Sequence, residues 1–417
     1  MIRAGSMTYA VFLLFLSTVL SFLLFSLYQN FDQSYARLET STKLLDNCHS
    51  GIALGVSALN TEFQYQENNF EGMGSLRVKS RPWGCFKSVS SQAEHQGDNI
   101  IKAAIVATEN EQLEGLAIWL APEKNFLKVA GNTTIQGDLK LPSGGIKSEN
   151  IGGQDFTGEK LYEGSIRDNP NFILGLTTNI DNYWNAYLNG RSQNALDSNT
   201  FFTANLDLID QSFHDITLLY EIKGSVRLNE RSFRGNVIIR ATDTIVIGKE
   251  AEIDHLVLVA PVIIMEADAS IRANLVAQTK VDIHNSAKLK FPSSILLLSN
   301  RSNKGQIQID SNAVVEGLII AKGVEEIYNK IDPLVQIKSG ARINGTIICF
   351  DDLDLRGSLS GHLLSRRLVY KNPDALYRDV LFNASVSTDS NRANLGYPKY
   401  SVASAGKRKE EIVRWLN

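Results

Sequence analysis

The chain has 417 residues, with 42 Lys and Arg against 45 Asp and Glu, a formal net charge of −3. That balance lacks the basic footprint of a nucleic-acid partner, while 43% hydrophobic content over this length describes a folded chain larger than one ordinary domain. Its three cysteines, Cys48, Cys85 and Cys349, form no C-x-x-C pair, so neither a structural zinc site nor a thioredoxin motif is supported.

Tyr9 to Tyr28 reads YAVFLLFLSTVLSFLLFSLY without a charge, about the 20 residues needed to cross a hydrocarbon core. Only Arg3 and the amino terminus precede it. The run exceeds the h-region of a cleaved signal and no A-x-A site follows it, so residues 1–30 are expected to be an uncleaved anchor in the lipid bilayer. Arg3 favours a cytoplasmic amino terminus, which places everything after residue 30 outside the cytoplasm, periplasmic or extracellular.

From residue 31 to 75 the sequence is polar with Leu38, Leu44, Leu45, Ile52, Val56 and Leu59 at mostly helical spacing, predicting a stalk that continues the membrane helix until Asn68, Asn69, Gly72 and Gly74 break it. Four strand-like runs follow in 76–121: Leu76–Val78, Cys85–Val89, Ile100–Thr108 and Gly115–Leu120, separated by polar turns. They predict a small antiparallel meander. In an oxidising compartment Cys48 and Cys85 either pair or remain inert buried thiols.

This order of apolar helix, stalk and meander, with Gly5-Ser6 ahead of the apolar run, resembles the type IV pilins and pseudopilins, especially the minor pilins. The resemblance covers residues 5–121 and implies processing after Gly5 and a place in a pilus or secretion system. It departs from the major pilins at Ala10, where they carry a glutamate.

Residues 122–221 divide into an early repeat turn and an insertion. In Val129–Pro142, Thr133 and Ile135, then Leu139 and Leu141, alternate as in a strand. Gly144-Gly145 and Gly152-Gly153 mark loops and lack the Lys-Ser/Thr of a phosphate loop. Asn179 to Phe213 holds Tyr183, Trp184, Tyr187, Phe201 and Phe202 among many amides. Two readings stand for these aromatics, a platform for sugars or packing that covers the repeat.

Residues 222–365 carry a repeat of five segments in four columns. The first column is Ile245, Ile263, Val281, Ile307 and Val335, and the second, two residues later, is Ile247, Met265, Ile283, Ile309 and Ile337. Ala251, Ala269, Ala287, Ala313 and Ala341 form the third, with Ile253, Ile271, Leu289, Val315 and Ile343 two beyond them. Alanine 251 to 269 is 18 residues, 269 to 287 is 18, 287 to 313 is 26 and 313 to 341 is 28. Apolar positions two apart predict strands, and Gly317 and Gly345 suit corners. The expected fold is mainly β, a parallel β-helix or solenoid stacked at roughly 4.8 Å per turn, with the amino-terminal helix and the small meander attached.

Segments such as IQIDSNAVVEGLIIA and VQIKSGARINGTIIC resemble the bactofilins over about residues 224–361, and that resemblance implies a β-helical scaffold that associates end to end. Residues 366–417 are read as a cap and tail, with Pro373–Ala384, the basic Lys407-Arg408-Lys409 and a helix-like Glu410–Leu416. A carbohydrate-active β-helix enzyme is the other class to weigh. IGKEAEI at Ile247–Ile253 matches the hexapeptide of acyltransferases once per turn only, and His255, His284 and His362 are isolated histidines. Asp351, Asp352 and Asp354 alternate with Leu353 and Leu355, which predicts carboxylates solvating the outer face of a strand. No catalytic set, cofactor or metal site is assigned, and the expected partners are the bilayer, a further copy of the chain, or an envelope protein or glycan.

Overall fold

A computed structural model describes residues 4–58, 62–70, 74–110, 113–122, 124–169, 178–190, 198–201, 209–299, 305–323, 332–388 and 408–416. Arg3, Leu59, Gly72, Phe202 and Lys407, singled out above, lie outside the described residues. The molecule is mainly β, with one long amino-terminal helix, an antiparallel sheet and a parallel sheet.

Helix α1 runs Ala4–Ser57. Its second half places Leu44, Cys48 and Ile52, four residues apart and so on one face, against Leu76, Val78, Val89, Ala93 and Val106. Gly51 and Gly55 let this face come close: a Cβ on Gly51 would stand 2.1 Å from Ser91 Oγ, and one on Gly55 2.4 Å from Val89 Cγ1. The helix stops at Ser57 rather than continuing as a stalk to about residue 70, because Phe63–Glu67 is taken up as a strand, β1. At the helix end Lys87 Nζ donates to Val56 O and to Ala58 O at 3.0 Å, capping carbonyls that have no partner within the helix.

β1 pairs antiparallel with β2 (Ser75–Trp83), β2 with β3 (Phe86–His95), and β3 with β4 (Asp98–Asn110). The fifth strand is the carboxy-terminal Arg408–Leu416, antiparallel to β4. Two expectations are corrected here. Glu410–Leu416 is a strand and not a helix, because it pairs along its length with Ala103–Thr108 of β4. Leu116–Leu120 belongs to the parallel sheet, where it pairs with Leu363–Ser365.

Among the described residues this sheet has twenty strands, parallel except for Leu376–Arg378, which runs antiparallel to Ser358–Lys371, and of three ladders within it the first carries the first sequence column and the second most of the fourth. In one, Val226, Ile245, Ile263, Val281, Ile307, Val335 and Leu353 are successive partners. In another, Ile271, Leu289, Val315, Ile343, Leu359, Val386 and Ile135 follow one another. The third runs Leu258, Leu275, Ile295, Ile319, Ile347, Leu363, Ile118 and Leu139. These residues fill a single core. Residues 116–140 therefore extend the sheet beyond residue 387, although they precede it in the chain.

Each repeat alanine closes a turn. The N–H groups of Ala251, Ala269, Ala287, Ala313 and Ala341 each donate to the carbonyl three residues earlier at 3.2 Å. Asp268, Ser286, Asn312 and Gly340, immediately before four of them, have positive φ. That is the left-handed conformation that Asn, Asp and Gly adopt most readily. All five alanines are buried, four of them completely. Ala287→Leu is therefore expected to overpack the core and lower stability by about 1–3 kcal/mol, read as a fall in the thermal midpoint of the purified chain; an unchanged midpoint contradicts the packing.

Candidate functional site

The exposed half of α1 is the clearest unpartnered surface among the described residues. Tyr9, Phe12, Leu16, Phe22 and Phe31 are all exposed, and Met7–Ser57 contains the one helix, among those residues, long and apolar enough to cross a membrane. Two of its hydroxyls are satisfied inside the helix: Ser17 Oγ and Thr18 Oγ1 donate to Leu14 O at 2.9 and 2.6 Å. Backbone-directed hydroxyls of this kind are tolerated where water is absent.

All fifteen repeat positions of the second, third and fourth columns are buried core residues. The aspartates behave differently from the expectation that they solvate an outer face. Asp352 and Asp354 are 3% and 1% exposed, Asp352 paired with Arg367 at 2.7 Å and Asp354 with Arg356 at 2.5 Å. Burial pushes the Asp352 carboxyl up, with Arg367 opposing. Charge–charge pairing, across adjacent strands for Asp352 and two residues along the chain for Asp354, compensates burial that unpaired carboxylates would resist.

The histidines occupy separate places. His362 is buried with Nδ1 2.6 Å from Leu116 O, at the point where the early segment joins the parallel sheet. His284 is partly exposed. His255 is buried with a positive φ of 65°. Cys48, Cys85 and Cys349 are buried free thiols. Cys48 contacts Ile100 O at 3.0 Å, whereas the Cys85 N–H donates to Ser294 Oγ at 3.1 Å.

The aromatic insertion forms α2, Thr178–Leu188, with Ile180, Trp184 and Tyr187 buried. Trp184 Nε1 donates to Gly84 O at 2.8 Å, and Arg240 Nε donates to Tyr187 O at 2.6 Å. These rings pack rather than form an open platform, and Phe201 lies in the short strand Ser198–Phe201.

Sequence reading did not anticipate the joint between the two sheets. The hairpin tip Trp83–Phe86 and Ile105 share a core with Val257, Val276, Leu296, Leu318, Ile348 and Leu364. A signal was present: Leu256–Val259, Ile295–Leu298 and Leu318–Ile320 are unbroken apolar runs, as strands buried on both faces require. At the tip, Ser294 Oγ donates to Asn274 Oδ1 at 2.7 Å while accepting from Cys85 N–H. A Cβ on Gly84 would stand 2.4 Å from Asn274 Cβ. Burial pushes the Cys85 thiol up to about 12, so docked Cys85 is unreactive.

No family model, curated protein or solved structure matches the chain.

Proposed function

We propose that the protein is a single-pass envelope protein that displays a parallel β-helix. Tyr9–Tyr28 lies in the cytoplasmic membrane, the short amino terminus faces the cytoplasm, and the β-rich body stands on the opposite side in an assembly or adhesive role. The carrying observation is the continuity of α1: one helix has an exposed apolar half and a half packed on the antiparallel sheet. A rigid helix of 54 residues transmits the orientation of its lipid-embedded part to the body. The three parallel ladders and their common core support the β-helix, and the bactofilin likeness makes a further copy of the chain, or an envelope glycan or protein, the kind of partner such a body takes.

Protease added to spheroplasts is expected to digest the body while a cytoplasmic control protein survives and a periplasmic control is cut. A protected body reverses the topology.

The contact of α1 with an antiparallel sheet also favours a second reading, a minor pilin-like subunit of a pilus or secretion system. Sequencing the mature amino terminus separates the two: Ser6 as first residue supports the pilin-like subunit, and an unprocessed terminus supports the simple anchor.

A further inference from the structure

His255 sits where the two sheets meet, and three observations set it apart. First, its Nε2 is buried without a hydrogen-bond partner; Asp254 Oδ1 stands 3.8 Å away, beyond bonding reach. Second, the backbone there is left-handed at φ 65°. Arg234 pairs with Asp254, and the residue after Arg234 is Gly235, with φ 86°, so the corresponding corner one strand earlier uses glycine. A side chain at such a corner carries strain that glycine avoids. Third, the residue is held by the joint itself: Trp83 Nε1 donates to His255 O at 3.0 Å, and Phe213 meets the imidazole edge-on at 6.4 Å and Trp83 at 5.2 Å.

The charged groups around it come from several elements. Asp254 is its chain neighbour, Arg272 lies on the adjacent strand and binds Asp254, and Arg414 reaches in from the carboxy-terminal strand. On the hairpin, Arg81 lies over the Trp83 ring at 5.1 Å; beside Phe213, His214 is itself pushed down by burial. Asp254 is already engaged by Arg272, so a cation formed on His255 meets one shared carboxylate and two guanidinium groups.

The geometry points to His255 as an acid-sensitive latch: uptake of a proton at Nε2 frees the hairpin tip Trp83–Phe86 from the parallel sheet. This inference does not depend on the membrane topology proposed above. Burial, with Arg272 and Arg414 adding to it and Asp254 opposing, pushes the docked imidazole down from 6.5 to about 4. Once undocked, the ring regains solvent and its ordinary value. Above that ordinary value both states are neutral and docking is fully favoured. As pH falls from 6.5 towards 4, the undocked state binds a proton that the docked state refuses, so docking weakens by up to about tenfold per pH unit. Acidification thus loosens the joint, and Cys349, buried in the core of the parallel sheet apart from the hairpin tip, serves as the control for wider unfolding.

Cys85 reports the event directly, since its thiol is covered only while the tip is docked. The full chain in detergent is treated with a pyridyl disulfide, which reacts with thiols in acid, and labelling is assigned by peptide mass. Protection is expressed against the urea-unfolded chain at the same pH. Between about pH 7 and about pH 4.5 the protection of Cys85 is expected to fall at least about tenfold, with Cys349 protection retained. His255→Asn and His255→Gly both suit the left-handed corner and carry no titrating ring, and each is expected to hold Cys85 protection within about twofold over the same range. Constant protection in the parent chain overturns the inference. So does an equal fall in both variants, which assigns the effect to Asp254 or another carboxylate, or loss of Cys349 protection in step with Cys85, which is global unfolding.

Discussion

Gly345→Ala is expected to lower stability by about 3 kcal/mol or more, larger than a typical core substitution. Gly345 has φ 143°, and a Cβ there would lie 1.9 Å from Gly317 O. Gly317 stands over Ser293 O and Gly361 over Gly345 O in the same way, each at 1.9 Å. The three residues form a corner where every carbonyl points at the next Cα, and the register Gly317↔Gly345↔Gly361 leaves no sideways escape. A methyl group must therefore spread two strands that are hydrogen-bonded along their length. The thermal midpoint of the purified chain should fall by several degrees, about the shift expected of such a cost in a chain of this size. A midpoint equal to that of the parent contradicts this account of the corner.

Glu410→Ala is the second large effect, and it acts on the edge of the antiparallel sheet. Lys87 is 5% exposed and Glu410 23%, with Nζ and Oε2 2.6 Å apart. Removing the carboxylate leaves the ammonium buried against Val56 O and Ala58 O. Losing one partner of a largely buried pair costs about 2–4 kcal/mol, allowing for the partial exposure of Glu410. Elsewhere on the carboxy-terminal strand Leu416 is buried, while Trp415 is half exposed and rests on His49 at 5.8 Å. The strand should open before the rest of the sheet. Hydrogen exchange of Ala103–Ala107 amides is expected to accelerate, and the double substitution Lys87→Met with Glu410→Leu should restore part of the protection because no charge is left behind. Unchanged exchange in Glu410→Ala would show that the pair does not hold the strand.

The repeat columns were legible because parallel pairing sets equivalent positions beside one another. Ile247, Met265, Ile283, Ile309 and Ile337 are consecutive in the sequence pattern and in the register. The same physics made Gly317 and Gly345 readable as corners. Legibility failed where the partner is remote or the segment short. Arg408–Leu416 is rich in Arg, Lys and Glu, residues with good helix propensity, yet its edge position on β4 decides the outcome. Leu116–Leu120 has five apolar residues and no diagnostic neighbour, so nothing local distinguishes an antiparallel partner from Leu363–Ser365. Asp352 and Asp354 alternate correctly, but Asp352 is paired with Arg367 on the next strand and Asp354 with Arg356 just past the end of its own, and neither pairing leaves a periodic trace.

Of the candidate site, the exposed half of α1 was fully legible, since an uncharged apolar run reads the same in either representation. The latch was not. His255 was visible as an isolated histidine, but its environment is built from Trp83, Phe213 and Arg414, three residues from separate parts of the chain. The one local clue was its position beside a repeat corner that is otherwise glycine at 235.

The placement of Leu116–Leu120 beyond Ser358–Lys371 has a consequence for how the molecule is made. Ile118 is synthesised 245 residues before Leu363 (363 − 118 = 245), the residue it pairs with. Through most of that interval the early strand can pair only with its near neighbour Asp138–Lys140, because the sheet that receives its other edge starts growing only at about residue 198 and advances towards it. Closure therefore waits for Ser358–Lys371, with a long loop to be gathered and the slow rate that such distant pairing imposes. A nascent chain halted before Ser358 holds β1–β4 but lacks the strand that seals the second edge of Leu116–Leu120, leaving that apolar edge for quality-control proteases and chaperones to recognise.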